Sequence, residues 1–258
     1  MKNTEWNING VRITGAVQDG RGPTALLVHG NSLGAAFWEP VFRAMPDRSL
    51  VAIDLPGHGG SDRTPGQYGM RALGRFISSF AHTLTDYFMV GHSLGGHLAL
   101  QAKAPGRGLL ICGTPPLGTP PAIGEAFSPH PAVGHAFSEH LKPQQLRELL
   151  EAMLLPLPLS LLDLAGRAHG RARAEIGASL VDVDFEDEIA ILKETAVPVC
   201  LVQANSDALV QGRYLEALAG ELPTLWRGAV QRVPGPHLAP WSHPRDFAAL
   251  IESFAADL

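Results

Sequence analysis

Short runs of apolar residues alternate with longer amphipathic stretches along most of this chain, and the alternation predicts strands and helices in turn. The apolar runs predict strands at residues 24–28, 50–53, 87–90, 109–113, 198–203 and 228–233. The amphipathic stretches predict helices at residues 35–45, 70–84, 94–102, 213–220 and 245–256. Continuous apolar strands separated by helices are typical of a parallel sheet that is covered on both faces. We therefore expect an α/β fold with a doubly wound, mostly parallel sheet.

Two parts of the chain depart from this alternation. Residues 5–18 alternate in polarity around Asn9-Gly10, which predicts a β-hairpin. Residues 114–179 contain leucine-rich helical stretches at 144–155 and 159–168, broken by Pro156 and Pro158, and no convincing strand. We expect residues 1–113 and 180–258 to form the core domain and residues 114–179 to form a helical cap insertion.

Composition narrows the class of protein. The 258 residues are 45% hydrophobic and 17% charged, as expected of a globular protein with a large core. The net charge of −5 gives no reason to expect a nucleic acid or an anionic membrane as partner. No signal-peptide pattern and no run of membrane-spanning length occurs, so we expect a cytoplasmic protein, a monomer or a homodimer.

The two cysteines, Cys112 and Cys200, lie in apolar runs that predict buried strands. Free, buried thiols are therefore favoured over a disulfide, in agreement with a reducing compartment. No cluster of residues has the spacing of metal ligands, so we expect neither a metal nor another cofactor.

One short stretch carries the strongest sign of chemistry. Gly91-His92-Ser93-Leu94-Gly95 joins a predicted strand to a predicted helix, and its glycines leave room for a sharp turn that would expose the Ser93 hydroxyl. Serine becomes a nucleophile when a histidine, oriented by a carboxylate, takes its proton. Asp207 and His237 each follow a later predicted strand, so they belong at the same edge of the sheet. We expect Ser93, Asp207 and His237 to form a catalytic triad.

Other residues compete for two of these roles. Rival carboxylates are Asp54, Asp62, Asp182, Asp184 and Asp187, of which the last three form an acidic run that favours a helix start and a solvated face. Rival histidines are His29, His58, His92, His97 and His243. The first three favour bracing of loops or lining of a pocket, and His97 favours packing or indirect support of the nucleophile. Asp207 and His237 remain the preferred pair.

The landmarks together resemble the α/β-hydrolase family. They are His29-Gly30, the segment Asp54-Leu55-Pro56-Gly57-His58-Gly59, the serine motif, Asp207 and His237, in the chain order serine, acid, histidine. The resemblance implies an α/β-hydrolase fold and an oxyanion hole formed by the Leu94 amide and by Asn31 in the loop after the first buried strand. It also makes the Asn31 and His92 side chains candidates for substrate contact.

A narrower resemblance reaches into the insertion. Residues 29–32, 93–97, 113–116, 160–163 and 170–173 are similar to the N-acyl homoserine lactonases of the α/β-hydrolase type. This resemblance implies metal-independent opening of the lactone ring of bacterial quorum-sensing signals. Two positions depart from the pattern: His92 stands before the nucleophile, and no glutamate follows Asp207, which must serve alone.

Three functions follow as hypotheses. The first is a lactonase for N-acyl homoserine lactones, the second a general carboxylesterase for small or lipophilic esters, and the third a non-catalytic ligand-binding protein. His29-Gly30-Asn31 also resembles the haloalkane dehalogenases, but these need a carboxylate nucleophile followed by tryptophan where this chain has Ser93 and Leu94. We expect a small-molecule ester or lactone whose apolar acyl chain lies against the leucine-rich cap.

Overall fold

The structure, a computed structural model, describes residues 1–258 and contains one eight-stranded sheet. Its strands β1 to β8 are Lys2–Ile8, Val11–Gln18, Arg21–Val28, Arg48–Ile53, Tyr87–His92, Leu109–Cys112, Val199–Ala204 and Gln231–Val233. Their order across the sheet is β1-β2-β4-β3-β5-β6-β7-β8. β1 and β2 form the predicted hairpin and β2 pairs antiparallel with β4, whereas all later pairs are parallel. The predicted α/β class with a mostly parallel sheet is confirmed.

Helices cover both faces of the sheet. Helices α1 to α11 are Glu39–Ala44, Met70–Ala81, Leu94–Ala102, Ile123–Ala126, Pro143–Glu151, Leu159–Gly166, Gly170–Val181, Glu188–Glu194, Gly212–Ala219, Ala239–Ser242 and Pro244–Ala256, with 3₁₀ helices at Ala35–Trp38, Pro131–Phe137 and Trp226–Gly228. On one face, α1 and α11 pack against alternate strand residues such as Leu27 and Val90. On the other, α2 and α3 pack against Leu26 and Met89. The parallel strands are therefore buried on both sides.

Two predicted elements differ from the observed ones and one short helix was not predicted, each for a local reason. The helix predicted at 35–45 divides into a 3₁₀ helix and α1, where Pro40 lacks the N–H that a continuous helix needs. The strand predicted at 228–233 starts only at Gln231, because Arg227 and Gly228 have left-handed backbones with φ of 57° and 64°. The short helix α10 was not predicted, because four residues show no period.

Between β6 and β7 the chain forms helices α4 to α8 and no strand of the sheet. The predicted cap boundary at residue 179 falls inside α7, which continues to Val181, and the division into core and cap stays a prediction. Arg173 on α7 is only 6% exposed, and its guanidinium donates to the carbonyl oxygens of Ser138 and Glu139. A buried cation bonded in this way ties α7 to the segment that follows the second 3₁₀ helix.

Cys112 and Cys200 are free and buried, as predicted. They lie on the adjacent strands β6 and β7, and burial raises the pKa of both thiols. Both therefore remain protonated core residues. No helix has the combination of length and apolarity that a membrane span requires.

Three fully buried histidines brace the loops at the carboxyl edge of the sheet. His29 Nε2 accepts a hydrogen bond from the Leu55 amide at 3.0 Å, and His58 Nδ1 bonds to the Pro56 carbonyl at 3.1 Å. His92 Nε2 bonds to the carbonyl oxygen of His237 at 2.9 Å. Burial lowers the pKa of His29 to about 4 and those of His58 and His92 to about 3. All three rings are therefore neutral near pH 7.

We predict that these histidines make the fold sensitive to mild acid. An unfolded histidine has a pKa of about 6.5, so between pH 6.5 and about 3 the unfolded chain binds more protons than the folded one. Stability is therefore lost as the pH falls through this window, by up to about 1.4 kcal/mol per pH unit for each ring. Urea unfolding at pH 7.5, 6.0 and 5.0 measures the slope.

The control for this prediction is His140, whose side chain is 92% exposed. His58→Asn should reduce the slope by about one proton, whereas His140→Asn should leave it unchanged. Equal unfolding free energies at pH 7.5 and 5.0 would contradict the prediction.

Candidate active site

Ser93 lies on a strained turn between β5 and α3. Its backbone angles, φ 52° and ψ −121°, are unfavourable for a residue with a side chain. The turn is held by close packing around the glycines beside it. A Cβ atom on Gly91 would lie 2.5 Å from Gly96 Cα, and one on Gly95 would lie 2.1 Å from the Val28 carbonyl oxygen. The strand and the helix can approach this closely only because these positions are glycine.

His237 and Asp207 form a buried pair at the same edge. The distance from His237 Nδ1 to Asp207 Oδ2 is 2.9 Å, and Asp207 Oδ1 accepts from the amides of Leu209 and Val210 at 2.8 and 3.1 Å. Burial opposes ionisation of Asp207, but the attraction of His237 and these hydrogen bonds outweigh it and hold the pKa of Asp207 below its ordinary value. The carboxylate therefore keeps the proton of His237 on Nδ1 and leaves Nε2 as the base.

Ser93 and His237 line the same cavity. His237 Nε2 has no hydrogen-bond partner in the protein, and Ser93 Oγ donates to no protein group. A hydrogen bond between these two atoms has to form when substrate binds, since catalytic hydrogen bonds are often long or poorly aligned in free enzymes. The arrangement supplies a nucleophile, a base and an orienting carboxylate.

Two backbone amides are candidates for an oxyanion hole. Leu94 is the first residue of α3, where N–H groups lack a partner within the helix. The Asn31 amide, in the loop after β3, donates to no backbone carbonyl. This loop lies against the nucleophile, since a Cβ atom on Gly30 would be 3.2 Å from Ser93 Cβ. Both N–H groups are therefore available to a developing negative charge.

The side chain of Asn31 has a partner that the sequence did not indicate. Its Nδ2 donates to the Ala136 carbonyl oxygen at 2.7 Å, and its Oδ1 accepts from Ser32 Oγ at 3.2 Å. Asn31 also lines the cavity. It therefore joins the loop of the oxyanion hole to the insertion.

Of the roles predicted for His92, the structure agrees with bracing of a loop and not with substrate contact. Its ring is fully buried, is not part of the cavity lining, and packs 5.0 Å from the His237 ring and 4.9 Å from that of Phe37. Because its low pKa keeps the ring neutral, Nε2–H donates to the His237 carbonyl oxygen and Nδ1 has no partner. Substrate contact by His92 is replaced by support of the His237 backbone.

The cavity above Ser93 has a volume of about 90 Å³ and a mostly apolar wall. Nine of the sixteen residues that line it lie between β6 and β7: Leu117, Phe127, Val133, Ala136, Phe137, Leu149, Met153, Ile176 and Leu180. The core adds Met70 and Leu209, which no sequence signal had indicated. A wider depression of about 480 Å³ lies against β1 and β2 and contains no member of the triad.

Comparison with known proteins agrees with this geometry. Residues 25–250 match the model of the alpha/beta hydrolase family. The chain belongs to the alpha/beta hydrolase family. Membership explains why a strained serine, a buried aspartate and a histidine meet at the carboxyl edge of one sheet. The protein is a hydrolase of this type.

Solved structures resemble the whole chain. The N-acyl homoserine lactonase AidH, determined as a complex with N-butanoyl homoserine, is 26% identical, with a TM-score of 0.93 over 100% of this chain and 97% of that chain. The esterase RhEst1 from Rhodococcus sp. ECU1013 is 20% identical, with a TM-score of 0.78 over the full length of both chains. The latter likeness concerns the fold alone, whereas the former extends through the insertion.

Curated relatives match a smaller part. The 2-succinyl-6-hydroxy-2,4-cyclohexadiene-1-carboxylate synthase of Salmonella paratyphi C (strain RKS4594) is 36% identical over 87 residues, which are 33% of this chain and 34% of the relative. The match thus spans about a third of the length of that relative.

We predict that Asp207→Asn lowers kcat strongly. Loss of the charge removes the group that keeps the His237 proton on Nδ1, and kcat should fall on the order of 10²- to 10⁴-fold. Initial rates with p-nitrophenyl butyrate measure the effect. Asp182→Asn, in the exposed acidic run, is the matched control and should retain full activity. An active Asp207→Asn variant would return the role of acid to one of the rival carboxylates.

A second prediction concerns His92. His92→Phe removes the donor to the His237 carbonyl, so we expect kcat to fall on the order of tenfold, because His237 is less well positioned. KM should change little, since the ring does not line the cavity. Steady-state kinetics measure kcat and KM separately. His92→Gln, which retains a donor, should recover part of the lost kcat. A raised KM with unchanged kcat would instead support the predicted substrate contact.

Proposed function

We propose that this protein opens the lactone ring of N-acyl homoserine lactones through an acyl-enzyme on Ser93. The observation that carries the proposal is the likeness to the lactonase AidH, which extends over the entire chain and includes the insertion. The insertion lines half of the cavity, so it bears directly on the choice of substrate. Opening of such lactones would inactivate bacterial quorum-sensing signals, which is the activity called quorum quenching.

The triad geometry supports a two-step reaction. Ser93 Oγ attacks the lactone carbonyl carbon while His237 Nε2 takes the hydroxyl proton. The amides of Leu94 and Asn31 stabilise the resulting oxyanion. The bond between the carbonyl carbon and the ring oxygen then breaks, and His237 returns the proton to the ring oxygen, which leaves as an alcohol. The product of this half-reaction is an ester of Ser93.

The second step hydrolyses this ester. His237 Nε2 takes a proton from water, the hydroxide attacks the acyl carbon, and Ser93 leaves as its hydroxyl. In a lactone substrate the alcohol stays attached to the acyl group, so it competes with water and can close the ring again. Efficient lactone opening therefore requires that the site hold the alcohol away from the acyl carbon.

The cavity supports an apolar acyl chain. Its wall consists of leucine, methionine, phenylalanine, isoleucine, valine and alanine side chains apart from the groups near Ser93. Transfer of methylene groups from water into such a wall favours binding by about 0.8 kcal/mol per methylene. This binding energy is available to any acyl group of suitable width.

A general carboxylesterase is the second candidate. The same triad and apolar wall serve a linear ester, whose alcohol departs freely and cannot close a ring again. The intact triad, with its buried Asp207 and oriented His237, is evidence against a purely ligand-binding role.

The test is titration of acid released from N-butanoyl and N-hexanoyl homoserine lactone, with p-nitrophenyl butyrate in parallel. The wild-type protein should open both lactones, and Ser93→Ala should lower the rate with every substrate by at least about 10³-fold. Ser160→Ala, at an exposed serine of α6, is the matched control and should change nothing.

Two outcomes of this experiment would contradict the proposal. Ester turnover without lactone opening would establish the carboxylesterase instead. Activity that survives in Ser93→Ala would exclude the acyl-enzyme. Because the serine mechanism does not use a metal ion, EDTA should leave all rates unchanged.

A further inference from the structure

A second histidine–carboxylate pair lies beside the triad, in the wall of the same cavity. His97 on α3 lines the cavity, and its side chain is 9% exposed. Its Nδ1 lies 2.7 Å from Oε2 of Glu188, a residue of α8 that is completely buried. Neither residue takes part in the reaction described above.

The hydrogen bonds around Glu188 determine which way the pair is oriented. Glu188 Oε2 accepts from the Leu117 amide at 2.9 Å, and Oε1 accepts from Gln101 Nε2 at 3.1 Å. The orientation of the Gln101 amide is fixed, because its oxygen accepts from the Glu186 amide. Both carboxylate oxygens therefore act as acceptors, and His97 Nδ1 donates to Oε2.

The buried carboxylate has one basic neighbour. His97 is the one basic side chain that lies within 4.0 Å of Glu188. Its Nδ1 hydrogen is used in the bond to Glu188, so the other ring nitrogen, Nε2, presents a lone pair, as Nε2 of His237 does beside Asp207. Glu188 thereby makes Nε2 of His97 a hydrogen-bond acceptor.

Nε2 is the free end of this pair. It has no hydrogen-bond partner in the protein, yet it is not sealed from solvent. The two nitrogens lie on different sides of the ring, so Nε2 faces away from Glu188. The space available to it is the cavity that the ring lines.

The position of His97 relative to Ser93 sets what it can contact. The His97 amide donates to the Ser93 carbonyl oxygen, which places the two side chains one helical turn apart, on the order of 6 Å. A group that binds Nε2 therefore belongs to the same substrate molecule, a few bonds from the carbonyl carbon that Ser93 attacks. Apart from Asn31 and the triad members, the rest of the cavity wall is apolar.

We propose that His97, held by Glu188, accepts a hydrogen bond at Nε2 from the amide N–H of the N-acyl group of the substrate. His97 is thus a specificity-determining residue that distinguishes N-acylated substrates from plain alkyl esters and lactones. This inference rests on the proposed function for the identity of the amide, and on the place of His97 in the cavity wall for the contact itself.

The experiment compares matched substrates with and without the amide. N-hexanoyl homoserine lactone is paired with an α-alkyl-γ-butyrolactone of equal chain length, and the p-nitrophenyl ester of N-hexanoylglycine with p-nitrophenyl octanoate. The wild-type protein should prefer the amide member of each pair in kcat/KM. His97→Phe should reduce that preference on the order of 10- to 100-fold, because the buried amide N–H of the substrate is left without a partner.

Three further variants separate recognition from folding. His97→Leu combined with Glu188→Leu removes the whole pair without leaving a buried charge unpaired, and it should lose the preference; turnover of p-nitrophenyl octanoate shows whether the site has folded. Glu188→Gln keeps the imidazole but weakens the bond that holds the ring hydrogen on Nδ1, so the preference should fall mainly through KM. The matched control is His135→Phe: His135 lies 3.4 Å from Glu148 on the cap and does not line the cavity, so this variant should keep the wild-type preference.

Two results would overturn the inference. One is an unchanged amide preference in His97→Phe and in the double variant. The other is no preference for the amide member in the wild-type protein. Failure of the proposed function is seen separately, as an absence of lactone opening, and the ester pair still tests His97 in that case.

Discussion

The close approach of α3 to the sheet is the constraint on which the site depends. A side chain at Gly95 would collide with the Val28 carbonyl oxygen. Because this position is glycine, α3 packs closely against the end of β3, and the loop after β3 lies against the nucleophile. Gly96 fits in the same way against Thr114, in the loop after β6. At Gly113, a Cβ atom would lie 2.9 Å from the His237 ring. One packing arrangement, available only to glycine, therefore positions the nucleophile, the oxyanion amide and the base relative to one another.

The insertion meets the core through polar contacts at the edge of the cavity. Asn31 donates to the Ala136 carbonyl, and Arg173 Nη1 donates to Ser32 Oγ at 3.5 Å, in the same loop as Asn31. Such buried polar contacts are favourable only in one geometry, because an unpaired amide or guanidinium in the interior is costly. They link the position of the apolar wall to the loop that carries the oxyanion amide. Under the proposed function, the reaction takes place on residues of the sheet edge, and the choice of acyl group depends mainly on the segment between β6 and β7.

Neighbouring histidines acquire different properties from their surroundings. His92 and His237 have ring centroids 5.0 Å apart, yet the first is sealed in the core and the second lines the cavity. Without a carboxylate beside it, His92 has its pKa lowered to about 3 by burial and remains a neutral donor to a backbone carbonyl. His237 instead has the buried Asp207 at 2.9 Å. The surroundings, and not the residue type, therefore make His92 a support for the backbone and His237 the candidate base.

The sequence by itself determined the α/β sheet, the strained serine and the candidate residues of the triad, because strand and helix periods are local and the ends of parallel strands share one edge. Only the tertiary structure placed His92 behind the site, paired Asn31 with a carbonyl 105 residues away and buried Glu188 against His97 across 91 residues. Glu188 directly follows an acidic run that, read along the chain, is typical of a solvated helix start. Its role depends on which distant groups pack around it, and this long-range packing leaves no periodic trace in the sequence.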